Sequence, residues 1–191
     1  MNTIVFIRHG ETDMAGRFCG HSDPDLNPAG ASQARCLAEQ AAVLGIERIY
    51  SSDLRRASQT AMAIAQRIGV DVVYLPALKE IHFGLWEGLN WQEIEERFPG
   101  EAERWLREFP LHRAPGGESY AEFTARIDSV IAPFLETTAA TTTAIVTHRG
   151  VMRYALTRLF SISEQEAWEK TAPYCATVVV TARTRNCEVL S

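Results

Sequence analysis

Short apolar segments that alternate with helix-like stretches constrain the fold of this chain more than any other feature. Ile4–Ile7 and Ala144–Val146 are uninterrupted apolar runs, which are typical of strands covered on both faces. Between them, apolar residues recur at helical spacing, for example from Pro28 to about Leu44. Such alternation indicates a mainly parallel central sheet with helices on both faces. The predicted fold class is therefore α/β, a three-layer α/β/α sandwich.

The remaining segments extend this alternation. Further strands are expected at 49–50, 72–75 and 177–181, and further helices at about 53–68 and 151–159. The polar run Ser51–Asp53 offers side chains that would cap the first of these helices. Ser119 and Glu122 have capping-box spacing for a long amphipathic helix, which Pro133 is expected to kink or end.

The stretch from Pro76 to Gly117 is less regular and is expected to form a small helical lid above the sheet. Asn90 and Glu93 have capping-box spacing for a short helix within it. With this lid as an insertion at about 76–117, residues 1–191 are interpreted as a single domain. Three tryptophans of the stretch either stack on a nucleoside-like ligand or, more commonly for aromatics, form the core of the lid: Trp86, Trp91 and Trp105.

Composition and charge argue against several classes of protein. The 191 residues carry 24 acidic and 19 basic side chains, a net charge of -5, and no basic run that would favour nucleic acid. No apolar run approaches the roughly 20 residues that a membrane span requires. Met1–Thr3 leads straight into a strand without a signal-peptide pattern. We therefore expect a cytoplasmic protein, monomeric or homodimeric, with no nucleic acid or membrane partner.

The four cysteines of the chain are too dispersed for a CxxC site and are expected to be reduced: Cys19, Cys36, Cys175 and Cys187.

Polar residues suited to phosphate chemistry directly follow three of the apolar segments. Arg8–Thr12 follows the first strand, Ser51–Arg56 the second, and Thr147–Gly150 the strand that ends at Val146. Ligands of open α/β sheets bind beyond the carboxyl ends of strands, so parallel neighbours would bring these residues to one rim. Helix N-termini at that rim favour anions. Within the first motif, Gly10 allows a left-handed backbone or a close ligand, or is an ordinary turn glycine.

The same residues carry a resemblance to a known family. Arg8–Thr12, Ser51–Ala57, Glu80 and Thr147–Gly150 stand in the order and spacing of the histidine phosphatase superfamily, also called phosphoglycerate mutase-like. The resemblance extends from about residue 4 to residue 181. Within the superfamily the chain is most similar to small phosphatases of the α-ribazole phosphatase type, through the segments Gly20–Asp23, Glu80–Gly88 and Pro115–Ser119.

The resemblance implies a catalytic role for several matching residues. His9 is the nucleophile that becomes phosphohistidine, which splits one displacement into two steps. Arg8, Arg56 and His148 hold the phosphoryl oxygens. Helical geometry allows only one of two adjacent arginines to face the site, and the family pattern selects Arg56 over Arg55.

Glu80 matches the general acid of the family. It would protonate the leaving alkoxide and then act as base for the hydrolytic water. A carboxyl group can do so near neutral pH only if burial or a neighbouring anion raises its pKa, and a bound phosphate would supply that anion. Glu11 and Glu87 are weaker candidates, which we expect to be structural, and His82 is expected to pack or to face solvent.

Substrate binding is the least constrained part of the resemblance. Thr12 offers a hydroxyl to the phosphate or caps a helix. The stretch Asp13–Gly16 is shorter than in relatives, and Arg17 with the backbone near Gly20 is expected to compensate. Arg149 either contacts a substrate phosphate or caps the helix that follows it.

One motif outside the resemblance suggests a metal. The alternating residues of His21–Asp25 fit a divalent cation, but Pro24 and Asn27–Pro28 make a turn there and no second ligand cluster stands out. We therefore expect no metal and no cofactor.

The sequence thus predicts a phosphoric monoester hydrolase of the histidine acid phosphatase type. It would hydrolyse a small phosphorylated metabolite through phosphohistidine, with α-ribazole 5'-phosphate as one candidate. The alternatives are phosphoglycerate mutase-type transfer and a non-catalytic module that binds a phosphate ligand. The short insertion between Glu80 and Ser119 favours a phosphatase over a mutase, and the presence of nucleophile, partner histidine and acid favours an enzyme.

Overall fold

The computed structural model describes residues 2–136, 139–181 and 187–190. Its strands are β1 (Thr3–Arg8), β2 (Arg48–Ser51), β3 (Val72–Tyr74), β4 (Thr142–Thr147), β5 (Thr177–Thr181) and β6 (Cys187–Leu190). They form one six-stranded sheet in the order β3-β2-β4-β1-β5-β6. The pairs β1–β4, β2–β4 and β2–β3 are parallel. Strand β5 is antiparallel to β1, and β6 is antiparallel to β5. The predicted α/β class with a mainly parallel sheet is confirmed.

Helices cover the sheet on both faces. They are α1 (Pro28–Ala41), α2 (Arg55–Ile68), α3 (Trp91–Arg97), α4 (Pro99–Glu108), α5 (Tyr120–Glu136), α6 (Arg149–Phe160) and α7 (Glu164–Thr171). Single 3-10 turns lie at Pro76–Leu78 and Gly84–Trp86. In the described ranges, no helix combines the length and the apolar character that crossing a membrane requires.

Strand β1 shows how the sequence produces the layers. Ile4 and Phe6 pack into a core with α5 and α6, whereas Val5 and Ile7 pack into a second core with α1 and α2. Successive side chains of a strand point to opposite faces, so a strand between two helical layers needs an uninterrupted apolar run. The three-layer sandwich follows from this pattern.

The stretch from residue 76 to residue 117 has a small core of its own. Asn90 and Glu93 form the predicted capping box at the start of α3, with reciprocal backbone contacts of 2.9 and 2.8 Å. The adjoining helices α3 and α4 contribute to this core, and the partly buried Trp91 and Trp105 pack against its buried residues. The fully buried members are Trp86, Ile94, Ala102 and Ala114.

The predicted cap of α2 is wrong. The helix begins at Arg55, and Leu54 occupies the N-cap position without a side-chain hydrogen bond. The hydroxyl of Ser52 accepts from the N–H of Leu54 (3.3 Å) and lies 2.9 Å from a ring nitrogen of His148. Apolar burial of Leu54 stabilises this helix start, and Ser52 is used at the rim instead.

Helix α5 continues through Pro133 to Glu136, so Pro133 does not end it, and the alternative of a kink stays a prediction. Pro133 lacks an N–H, but tertiary packing maintains helices more than local propensity does, and the adjacent Ile131 is fully buried. The start of α5 is as predicted. The hydroxyl of Ser119 accepts from the N–H of Glu122, and the Glu122 carboxylate accepts from the N–H of Ser119.

Candidate active site

The carboxyl ends of β1, β4 and β2 lie side by side because these strands are parallel neighbours. Pairing continues just beyond the strands. The N–H of His9 donates to the carbonyl of Thr147, and that of Ser52 donates to Val146, both at 3.0 Å. The rings of His9 and His148 therefore meet, with centroids 5.1 Å apart. The rim expected from the three motifs is present.

His9 is held in one orientation and one tautomer. Its Nδ1 lies 2.7 Å from the carbonyl oxygen of Gly10. A carbonyl can only accept, so Nδ1 carries the proton and Nε2 keeps a free lone pair. Burial, followed by the positive charges of Arg56 and Arg8, lowers the pKa of His9 well below its ordinary value. The result is a neutral imidazole whose Nε2 can act as a nucleophile.

Gly10 fixes the His9 loop by close packing. A Cβ at Gly10 would lie 2.7 Å from the carbonyl oxygen of Gly30 in α1. The N–H of Gly10 donates to the hydroxyl of Thr60 in α2 (3.1 Å). The glycine is thus required where the loop touches α1. Its backbone is not left-handed, and the close approach of a ligand stays a prediction.

His148 is fully buried beside His9. Its Nε2 lies 2.9 Å from the hydroxyl of Ser52, and its Nδ1 has no hydrogen-bond partner in the described part of the chain. Burial first, then the charge of Arg56 and the neighbouring His9, lowers the pKa of His148 well below its ordinary value. The partner histidine is therefore also neutral, and its Nδ1 is buried without a partner among the described residues.

Arg56 lies behind the two histidines and is almost fully buried. Its terminal nitrogens donate to the carbonyls of Ser22 (2.7 Å), Gly20 (2.8 Å) and Cys19 (3.2 Å), while its Nε has no partner among the described residues. The neighbouring Arg55 points outward and pairs with Asp25 at 2.6 Å. Of the two arginines, the structure brings Arg56 to the site.

Arg8 approaches the site from β1. Its guanidinium stacks on Tyr174, with Cζ 4.2 Å from the ring centroid, and donates to the carbonyl of Ala172. The ring of Tyr174 also lies 6.0 Å from that of His9. Burial lowers the pKa of Arg8 from its very high ordinary value. Arg8 has no carboxylate partner among the described residues, so its charge is free for an anion.

Glu80 is 9% exposed and rests on the N-terminus of α6. One carboxylate oxygen accepts from the N–H of Gly150 (2.8 Å), and the other accepts from the N–H of Ile81 (3.0 Å). A Cβ at Gly150 would lie 2.2 Å from the carboxylate, so a larger residue there would displace the carboxyl group of Glu80. Arg126 donates to the backbone carbonyl of Glu80 (2.8 Å) and thereby fixes the segment that carries the acid.

A cleft of about 850 Å³ opens in front of these residues. Its lining includes Arg8, His9 and Glu80. The lining also combines arginines with aromatic residues of the 76–117 stretch, α5, α6 and α7: Trp105, Phe109, Tyr120, Arg149, Arg153, Tyr154 and Trp168. Such a lining suits a small molecule that carries a phosphate.

Comparison with known proteins decides which family has this geometry. The profile of the histidine phosphatase superfamily (branch 1) matches residues 4–191. The chain belongs to the histidine phosphatase superfamily. Phosphoserine phosphatase 1 of Hydrogenobacter thermophilus is 30% identical over 170 residues, which cover 88% of this chain and 81% of that protein. The protein named Probable phosphoglycerate mutase GpmB of Escherichia fergusonii is 36% identical over 154 residues, covering 78% and 70%.

The fold is shared with solved structures of the superfamily. The α-ribazole phosphatase from Shigella flexneri superposes with a TM-score of 0.87, over 98% of this chain and 94% of that chain, at 23% identity. Membership in the superfamily makes this chain an enzyme of the phosphatase and mutase type that acts on small phosphorylated substrates.

Of three residues that the superfamily resemblance assigned to substrate binding, two line the cleft and one does not. Thr12 lines the cleft, and its hydroxyl accepts from the N–H of Met14 (3.2 Å). Arg149 also lines the cleft, on the face of an aromatic ring, and does not cap α6. Gly20 does not line the cleft, because its N–H donates to Glu87 (3.0 Å) and its carbonyl accepts from an arginine. A contact between Gly20 and substrate has no support in this geometry.

The loop before α1 is organised by Glu87. Its carboxylate accepts from the backbone N–H groups of Gly20, His21, Ser22 and Phe83. Burial raises the pKa of Glu87, but hydrogen bonds from the Ser22 hydroxyl and from the N–H groups of Phe83, Ser22 and His21 together outweigh it and lower the pKa. Arg17, which was expected to compensate for the short loop, lines the cleft but pairs with Glu93 of α3 at 2.8 Å.

The acidic side chains near His21 have other partners. Asp23 accepts from the N–H of Arg55 (2.6 Å), and Asp25 accepts from Gln59 (2.6 Å). Across the described ranges, no three His, Cys, Asp or Glu residues are grouped so as to hold a metal. Three of the four cysteines are free thiols, namely Cys19, Cys36 and Cys175. The side chain of Cys187 lies outside the described atoms.

Sequence reasoning missed three residues of this site and misassigned a fourth. Ser52 belongs to a motif expected at the rim but was assigned to a helix cap, and Tyr174 and Trp168 belong to a region in which no helix was predicted. Arg126 was passed over because a single arginine on an amphipathic helix is normally solvent-exposed. Its sequence position, eight residues after Glu118, gives no signal of the bidentate pair that the two form.

Proposed function

We propose that this chain is a phosphomonoesterase that transfers the phosphoryl group of its substrate to Nε2 of His9 and then to water. The observation that carries the proposal is the bond from Nδ1 of His9 to Gly10, which leaves a neutral, oriented Nε2 next to two arginine charges. An N–P bond forms as the bond from phosphorus to the ester oxygen breaks. In the second step water attacks phosphorus, the N–P bond breaks, and inorganic phosphate leaves.

Arg8, Arg56 and His148 would stabilise the phosphoryl group during both steps. Charge in this transfer is spread over three equatorial oxygens, so several fixed donors around them lower the barrier. Arg8 supplies a guanidinium without a carboxylate partner, Arg56 supplies its unpartnered Nε, and the third donor would be the free ring nitrogen of His148. Thr12 on the cleft wall would add a hydroxyl.

Glu80 would carry the proton of the reaction. In the first step its carboxyl donates to the departing alkoxide, and in the second its carboxylate accepts a proton from the attacking water. We propose further that the 76–117 stretch is the lid of a single domain and shields this proton transfer from bulk water.

The leaving group is the finer part of the proposal. The superfamily resemblance suggests α-ribazole 5'-phosphate, while the relatives are named for phosphoserine phosphatase and phosphoglycerate mutase activities. A phosphatase is favoured over a mutase because the lid is short. A mutase would return the phosphoryl group to product and release little inorganic phosphate, so phosphate release separates the two.

A phosphate-ester panel tests the proposal. Wild-type enzyme should release phosphate from at least one of α-ribazole 5'-phosphate, phosphoserine and 3-phosphoglycerate, with or without excess EDTA. His9→Ala should reduce release to the buffer rate, and Glu80→Gln should lower kcat by about 10²- to 10⁴-fold. His112→Ala is the matched control, since His112 pairs with Glu101 and does not line the cleft. Undiminished hydrolysis by His9→Ala, or full loss of activity in EDTA, would refute the proposal.

A further inference from the structure

The lining of the cleft contains two arginines that stack on one indole ring. Arg149 and Arg153 lie one turn apart on α6, and both line the cleft. Their Cζ atoms lie 3.7 and 4.8 Å from the ring centroid of Trp168 in α7. The backbone carbonyl of Trp168 also accepts from Arg149 at 3.3 Å. Stacking on tryptophan fixes the plane of a guanidinium and leaves its edge free to donate.

The arginines of the cleft differ in how their charge is compensated. Arg17 pairs with Glu93 at 2.8 Å, and Arg153 pairs with Glu164 at 3.2 Å. Arg149 has no carboxylate partner within the described ranges, and its Nε is buried without a hydrogen-bond partner. A buried charge is normally paired with an opposite charge, and the partly buried guanidinium of Arg149 lacks such a partner.

The electrostatic surroundings point the same way. Burial lowers the pKa of Arg149 most, the positive charges of Arg8 and Arg153 lower it further, and the negative charge of Glu80 opposes them. Two other cations therefore act on Arg149, and an anion bound to its guanidinium would reduce their repulsion.

We propose that Arg149, held by Trp168, binds a second anionic group on the substrate, a carboxylate or a further phosphate carried by the leaving group. This inference rests on the proposed phosphatase function and names its substrate class. The guanidinium edge matches the two oxygens of either anion. A substrate with an uncharged leaving group, such as α-ribazole 5'-phosphate, would leave Arg149 unpaired and is disfavoured.

Two matched esters isolate this contact. 3-Phosphoglycerate and glycerol 3-phosphate have similar carbon chains, and only the first has a carboxylate. Wild-type enzyme should prefer 3-phosphoglycerate in kcat/KM by about 10-fold or more, the effect of one charged hydrogen bond. Arg149→Met should bring the ratio of the two values close to one, and Arg149→Lys should retain part of the preference. A further ester pair with a phosphate in place of the carboxylate shows which anion binds better.

Two more variants keep the result interpretable. Trp168→Ala removes a half-exposed ring from the surface and should also lower the preference, because the guanidinium loses its fixed plane. Arg67→Met removes an exposed arginine that pairs with Glu39 far from the cleft, and it should leave both kcat/KM values unchanged. Circular dichroism melting of each variant excludes loss of the fold as the cause.

The failure of this inference differs from the failure of the proposed function. A wild-type ratio near one, or a preference that Arg149→Met retains, would overturn the second-anion site while hydrolysis through His9 stands. If no ester is hydrolysed, calorimetric binding to His9→Ala still decides the point. Tighter binding of 3-phosphoglycerate than glycerol 3-phosphate, lost when Arg149→Met is added, supports the site. Equal binding of the two esters overturns it.

Discussion

At the scale of single residues, one hydrogen bond turns an ordinary histidine into a nucleophile with a defined reacting atom. The carbonyl of Gly10 fixes the proton on Nδ1 of His9, and burial keeps the ring neutral. Gly10 itself is required because α1 passes directly over it. The backbone around His9 therefore determines its chemistry as much as the imidazole does.

The protonation state of His9 gives the first prediction at this scale. The ordinary pKa of histidine is about 6.5. Because burial and the two arginine charges disfavour the imidazolium, His9 in the free enzyme should stay neutral at pH 6.5 and become protonated only at lower pH. Titration of the imidazole nitrogens by ¹⁵N NMR measures this directly, with His9→Ala identifying the signal. A midpoint at or above 6.5, or a proton on Nε2, would contradict the assignment.

Single residues also show where sequence reasoning succeeds. The positions of Arg8, His9, Glu80 and His148 follow from strand ends and family motifs, and the structure brings all of them to one rim or cleft. The tautomer of His9 could not be predicted, since it depends on a carbonyl direction that only the folded loop sets. The expected contact of Gly20 with substrate stays a prediction, and nothing in the sequence indicated that Glu87, distant along the chain, accepts from the N–H of Gly20.

At the scale of elements, helix α5 holds the proposed acid in position without touching the reacting atoms. Arg126 of α5 donates to the carbonyls of Ala77 (2.8 Å), Lys79 (2.6 Å) and Glu80 (2.8 Å). Its position is fixed in turn by Glu118, which accepts from Nε at 2.7 Å. We therefore regard Arg126 as a positioning residue for Glu80.

Replacement of Arg126 should impair proton donation in particular. Arg126→Met should lower kcat for alkyl phosphates by about 10-fold or more, within the range of general acid catalysis. It should affect 4-nitrophenyl phosphate much less, because that leaving group departs as a stable anion. Arg126→Lys should restore part of the loss, and Glu80→Gln should show the same dependence on leaving group. An equal loss for both substrate types would indicate a structural role only.

Elements with weak patterns are those that sequence reasoning did not find. Helix α7 buries only Ala167 and Thr171, so it has no apolar stripe that a periodicity search would detect. The edge strand β6 is short, with four residues. The cap of α2 was misassigned because burial of Leu54 outweighs the capping preference of its polar neighbours. By contrast β1, buried on both faces, and α3, with its complete capping box, follow directly from sequence.

At the scale of the whole molecule, the net charge of -5 coexists with a positive site. Many acidic side chains pair with arginines at the surface, as Asp25 does with Arg55 and Glu39 with Arg67. The parallel sheet instead collects Arg8 and Arg56 at one rim, where carboxylate partners are absent among the described residues. Binding of an anion depends on this local field, so the net charge gives no indication of the substrate.

The central claim is a covalent phosphohistidine at His9, and rapid-quench trapping tests it most directly. Enzyme mixed with a ³²P-labelled substrate and quenched within one turnover should carry acid-labile, base-stable label, which mass spectrometry locates on His9. His9→Ala should carry none, and Glu80→Gln should still be labelled by 4-nitrophenyl phosphate. Hydrolysis without any trapped label under single-turnover conditions, or label on a residue other than His9, would contradict the account.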